Sequence, residues 1–212
     1  MLCWTELVRE NMWKETASEE SINKTVAVLT ANGVTVVVVE NAEKAKEKAK
    51  DLISKDGEVM IMVSTTLETI GINDDWLKEN GFGSVKDKLK SMDREKDNRQ
   101  MQQIGAAPEY AIGSVHAVTE KGEILVASNT GSQLPAYASG ADKVIWVVGT
   151  QKIVANFDEA MKRIYEYCLP LEDARARKAY GSGSGVNKIL IVNKEKREGR
   201  LHMILVKEML GF

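Results

Sequence analysis

Hydrophobic residues in this 212-residue chain gather in short runs, several of them continuous rather than alternating. The runs cover residues 34–39, 59–63, 124–127, 144–148, 189–192 and 201–206. A strand apolar on both faces is buried on both faces, as in a sheet covered by helices. Helical patterns lie between the runs. Ser18 suits an N-cap, and Glu19 and Glu20 suit the positive end of the helix it opens. Ile22, Val26 and Leu29 follow at helical spacing, and Gly33 ends the segment. Ala42, Ala45, Ala49 and Leu52 form a second stripe beneath a charged outer face. Asn156 or Asp158 caps a third helix carrying Ala160, Ile164 and Tyr167, and Pro170 breaks it or opens the next.

Strands alternating with helices through short connections predict a mostly parallel sheet with helices on both sides, a three-layer α/β/α arrangement. No internal repeat and no long linker divides the chain, so residues 1–212 read as a single domain. Residues 1–17 read as an N-terminal helical extension. Residues 71–104 are polar, contain Asn80-Gly81-Phe82-Gly83, and read as an insertion of short helices joined by turns. Gly181-Ser182-Gly183-Ser184-Gly185 is a flexible segment. With no clear helix after it, a plain connector is a better reading than a phosphate loop.

Composition narrows the function classes. At 43% hydrophobic, the chain can bury a core. A formal charge of -2 and 6% aromatic content argue against a nucleic-acid surface. Two cysteines, Cys3 and Cys168, do not make a disulfide framework. The start lacks the basic and apolar segments of a signal peptide, and no run approaches the roughly 18 apolar residues that cross a bilayer. A cytoplasmic protein that meets neither membrane nor nucleic acid is expected. Dinucleotide, Walker and nucleophile-elbow motifs are absent, as is metal-ligand spacing, so no cofactor and no metal is expected.

In an open parallel sheet, ligands bind beyond the carboxyl ends of the strands. Four polar segments follow expected strands there. They carry Ser64, Thr65 and Thr66; Ser114 and His116; Thr130, Gly131, Ser132 and Gln133; and Lys152. If the strands are parallel, these loops gather at one edge. Ser64, Thr65 and Thr66 would open a helix, whose free N–H groups favour an anion. Thr130 to Gln133 has the same form, with Gly131 allowing close approach of a ligand. Each segment also reads as an ordinary N-cap. His116 suits a general acid or base, or a structural histidine bonded to backbone. His202 lies within a strand and reads as structural. Glu120 belongs with the same chemistry or with a hairpin turn at Lys121-Gly122. Lys152 suits a phosphate or carboxylate, or a solvated surface.

The segment Ser114-Val115-His116-Ala117-Val118-Thr119-Glu120-Lys121-Gly122 resembles a stretch of the LUD-domain (lactate utilisation) family. Residues 140–154, reading GADKVIWVVGTQKIV, are similar to another, and the ending Leu210-Gly211-Phe212 to the family's close. The resemblance runs from about Ser18 to the last residue. It implies a fold of the NagB/RpiA/CoA-transferase type, with Ser64-Thr65-Thr66 as the phosphate or acyl loop and Thr130-Gly131-Ser132-Gln133 as a second. Where many relatives carry Gly-Asn-Arg, this chain has Gly131-Ser132-Gln133, and it lacks their cysteine-rich segment near the C-terminus.

What the resemblance implies is an accessory or metabolite-binding component of lactate or related organic-acid utilisation. It would bind a small anionic metabolite or CoA derivative beside iron–sulfur oxidoreductase subunits. The alternative is a stand-alone enzyme of the sugar-phosphate isomerase or CoA-transferase type, with His116 or Glu120 carrying the proton or acting as nucleophile. A metabolite sensor is a third reading, and a homodimer is compatible with the fold class.

Overall fold

A computed structural model describes residues 13–212, so most of the expected N-terminal extension, and Cys3, lie outside the described residues. In chain order the elements are α1 (Glu19–Ala31), β1 (Thr35–Val39), α2 (Ala42–Asp51), β2 (Glu58–Ile61), α3 (Thr65–Ile70), α4 (Asp74–Glu79), β3 (Gly83–Ser84), α5 (Val85–Lys90) and α6 (Asn98–Ala106). There follow β4 (Tyr110–Gly113), β5 (Ala117–Thr119), β6 (Ile124–Ser128), β7 (Lys143–Gly149), β8 (Ile153–Val154), α7 (Phe157–Lys162), α8 (Leu169–Tyr180), β9 (Lys188–Val192) and β10 (Leu201–Val206).

Six strands form one sheet in the order β1-β10-β7-β4-β2-β3, with every pairing parallel. The continuous apolar runs explain its centre. Ile145, Val147, Ile204, Val206 and Ile112 face α2, α3 and α4, packing on Ala45, Ala49, Leu67 and Leu77. Val144, Trp146, Val148, Met203 and Leu205 face the other way, towards Leu29 of α1 and towards a second, smaller sheet.

That second sheet has the order β8-β5-β6-β9. Its β6 pairs antiparallel with both β5 and β9. The expected parallel strand at residues 124–127 is therefore corrected. The turn at Glu120-Lys121-Gly122 is too short for a parallel crossover, so β5 and β6 close as a hairpin. Gly122 holds φ at +95° in that turn. One face of the hairpin completes the main core through Val118, Ile124 and Val126. The other face, through Ala117, Leu125 and Ala127, packs on Ala160, Ile164, Tyr167 and Trp13. The mostly parallel sheet flanked by helices stands as expected, with this small sheet inserted on one side.

The caps follow their sequence signals. Ser18 accepts a hydrogen bond from the Ser21 N–H at 3.2 Å, and Asn156 accepts one from the Glu159 N–H at 3.1 Å. Pro170 opens the next helix rather than breaking the third, standing in the first turn of α8. The chain stays helical from α7 into α8 through a wide π turn over Arg163–Cys168. A proline cannot donate the usual i→i−4 bond, and the register change just before it accommodates that loss. Helices α4 and α5 flank β3, which pairs with β2 at the edge of the main sheet, and Trp76, Leu77 and Val85 are buried there.

Gly113, at the end of β4, has no room for a side chain. A Cβ there would fall 1.8 Å from the Tyr137 hydroxyl. Gly113→Ala should cost about 1–3 kcal/mol through overpacking, read as a lowered Tm. An unchanged Tm would mean that Tyr137 moves aside freely.

Candidate functional site

Strands β2, β4 and β7 lie side by side, so their carboxyl ends open at one place. The segments after them, with the loop after β6 and residues 182–186, surround a cavity of about 420 Å³. The β6 loop arrives from the second sheet rather than from the parallel one. Ser64, Thr65, Ser114, His116, Thr130, Ser132, Gln133 and Lys152 all line the cavity. So does the Gly-Ser segment, which is thus more than a remote connector.

Three expected residues are placed elsewhere. Thr66 is fully buried, and its hydroxyl donates to the Leu210 carbonyl at 3.0 Å. Gly131, with φ at +86°, makes room for the Lys188 side chain, whose Cδ lies 2.5 Å from where a Cβ would be. Glu120 sits in the hairpin turn and faces α1. It accepts from Ser21 Oγ and Lys24 Nζ, each at 2.7 Å. Those bonds, Lys24 first, hold its carboxyl below the usual range. Glu120→Gln should therefore shift stability by no more than about 1 kcal/mol and leave ligand affinity unchanged, as calorimetry would show. A tenfold loss of affinity would return Glu120 to the site.

Lys152 sits in the turn after β7 and is only 2% exposed. Its Nζ donates to Thr66 Oγ1 at 2.9 Å, Ser114 Oγ at 3.1 Å and the Val115 carbonyl at 3.2 Å. None of these is a carboxylate. Burial, reinforced by the Arg163 charge, brings its proton affinity down to about 7. The surface reading of Lys152 is thereby replaced. The turn that follows the buried strand β7 carries the side chain inward.

Arg163 comes from the π turn and has no exposed surface. Its Nη1 donates to the His116 carbonyl and to Cys168 Sγ, the latter at 2.9 Å. The guanidinium lies 5.2 Å from the Tyr167 ring centre. Its Nε and Nη2 have no hydrogen-bond partner among the described residues. Sequence reasoning missed this residue, though a signal existed. Arg163 falls on the same helical stripe as Ala160 and Tyr167, at i+3 and i−4, where a charge is out of place.

His116 is fixed as a hydrogen-bond donor. Its Nδ1 accepts from the Ala127 N–H at 3.1 Å, which leaves the ring proton on Nε2. Burial, then the charges of Lys152 and Arg163, keep the ring neutral down to about pH 3. A ring with no lone pair free and no proton to exchange near pH 7 is unsuited to general acid–base work. Burial likewise pushes the Cys168 thiol up, so it stays protonated. Glu172 is the one acidic side chain among the described lining residues, and Arg175 grips it with bonds of 2.7 and 2.8 Å. The cavity therefore has a surplus of positive charge and hydroxyl donors. Among the described residues, no group of His, Cys, Asp and Glu could hold a metal, and no helix is long and apolar enough to cross a membrane.

The LUD domain family matches residues 22–209. No curated protein matches the chain. The crystal structure of a DUF162 family protein from Deinococcus radiodurans is similar at 16% identity, with a TM-score of 0.53 over 88% of this chain and 96% of that one. Identity that low shows a shared fold alone. The crystal structure of eIF2B beta from Chaetomium thermophilum aligns with a TM-score of 0.37 at 14% identity, over 56% of this chain and 44% of that one, too distant to support an argument.

Proposed function

Because the chain belongs to the LUD domain family, we propose that it serves lactate or related organic-acid utilisation by binding a small anionic metabolite in the cavity beyond β2, β4 and β7. One observation carries this reading. Lys152 and Arg163 are both buried, and neither has a carboxylate partner among the described residues. Buried charges are normally paired, because an unpaired one loses its hydration without compensation. An anion in the cavity supplies the missing charge beside Lys152, which lines it, with Arg163 behind the lining. The hydroxyls of Ser64, Thr65 and Ser114 and the Nε2–H of His116 add donors around it. A volume of about 420 Å³ lies within the roughly 300–1,000 Å³ usual for small-molecule sites.

Calorimetric titration with lactate, pyruvate, inorganic phosphate and CoA tests the site. At least one should bind, and Lys152→Met should weaken it at least tenfold. No binding by any of the four would remove the anion reading. An accessory role beside iron–sulfur oxidoreductase subunits is tested by purifying the protein from its native source, and recovery without such a partner would count against it. The stand-alone enzyme reading with Glu120 as its proton carrier draws no support from the geometry, since Glu120 faces α1.

A further inference from the structure

The hydrogen bonds of Lys152 suit an uncharged amine as well as an ammonium. The Thr66 hydroxyl proton is committed to the Leu210 carbonyl, so Thr66 Oγ1 can only accept from Nζ. The Val115 carbonyl can only accept as well. Ser114 Oγ has no other partner among the described residues and is free to donate instead. A neutral amine thus gives its two protons to Thr66 and Val115 and directs its lone pair at Ser114. Lys152, Ser114 and Val115 all line the cavity. An ammonium in this place is buried, faces no carboxylate and feels the charge of Arg163. Desolvation and a neighbouring cation are the conditions that turn a lysine into a nucleophile.

We propose that Lys152 captures small carbonyl compounds, aldehydes or 2-oxo acids, from the cavity as a Schiff base. The Nζ lone pair attacks the carbonyl carbon, and the C=O π pair moves to oxygen. Ser114 relays a proton from nitrogen to that oxygen, giving a carbinolamine. Ser114 passes a second proton to the oxygen, water leaves as the nitrogen lone pair closes the C=N bond, and the remaining N–H proton returns to Ser114. Amine and carbonyl become imine and water, with no oxidant or reductant consumed. For a 2-oxo acid, the His116 Nε2–H and the Ser64 and Thr65 hydroxyls are the donors left to hold the carboxylate. The reaction names a substrate class for the site proposed above, but the nucleophile itself does not depend on anion binding.

Near pH 7 an ordinary lysine, with a pKa of about 10.4, is almost wholly protonated and unreactive. The test is to incubate the full chain at pH 7 with cyanoborohydride and either pyruvate or propanal, then map the reduced adducts by peptide mass spectrometry. Lys152 should be labelled at least tenfold faster than any exposed lysine, and Lys152→Arg should abolish that adduct. Propanal carries no charge, so labelling of Lys152 by it supports the nucleophile whatever the anions do. Anion binding with Lys152 unlabelled by both reagents would overturn the nucleophile and leave the anion site standing.

Discussion

Lys152→Met is expected to melt at a higher temperature than the wild type at pH 6 and to lose anion binding with the same change. The folded amine releases its proton near pH 7, whereas the unfolded one holds it to about 10.5. Between those values the unfolded chain binds more protons, so wild-type stability climbs with pH. Below pH 7 both states are protonated, and the folded protein bears the full penalty of a buried ammonium. Each pH unit in the window is worth about 1.4 kcal/mol, and the whole window is on the order of 5 kcal/mol. Methionine escapes that penalty but forfeits three hydrogen bonds, each worth about 0.5–1.5 kcal/mol. The net gain should be about 1–3 kcal/mol at pH 6 and should vanish or reverse by about pH 10. Thermal melts of both proteins across that range give the answer. A gap that stays constant with pH would show that Lys152 keeps its proton throughout.

Trp146→Ala should be the most damaging single change in the core. Trp146 lies mid-way along β7, fully buried, opposite Met203 on one side and Gly113 on the other. Its ring meets Tyr137 edge-on, with centroids 5.5 Å apart at 73°. Tyr137 in turn lines the cavity. Removing the indole should cost about 3–5 kcal/mol. In a chain of this size that lowers Tm by roughly 6–20 °C. The ligand affinity should fall too, because Tyr137 loses the surface that orients it. A Tm drop with unchanged affinity would separate the cavity wall from the core behind it.

The centre of the sheet was legible because β7 and β10 are apolar on both faces, a pattern that leaves few alternatives. The membership of β6 was not. Its run of apolar residues is equally compatible with a parallel strand, and only the pairing across the short turn after Thr119 decides the matter. The loop after β6 nevertheless reaches the expected cavity from the second sheet, which packs on the face of the first that carries Val144, Trp146 and Val148. Ser64, Ser114 and Lys152 were legible as strand-end polar residues. Thr66 was misleading, since sequence does not reveal that its hydroxyl is committed to Leu210. Arg163 was hidden by its neighbourhood, Met161-Lys162-Arg163, where a basic residue looks solvated until the helical phase is followed through the π turn.

The π turn also holds one residue more than a regular helical turn. Each residue of an α-helix advances the chain by about 100°. Deleting one residue between Arg163 and Cys168 would let the helix close as a regular α-helix from Phe157 onward. Because the wide turn takes up its extra residue within about the rotation of a regular turn, α8 would keep its phase, with Ala176 still buried and Glu172 and Arg175 still at the cavity mouth. The wide turn is therefore where this helix tolerates a one-residue change of length, whereas the same change within α8 would turn everything after it by about 100°.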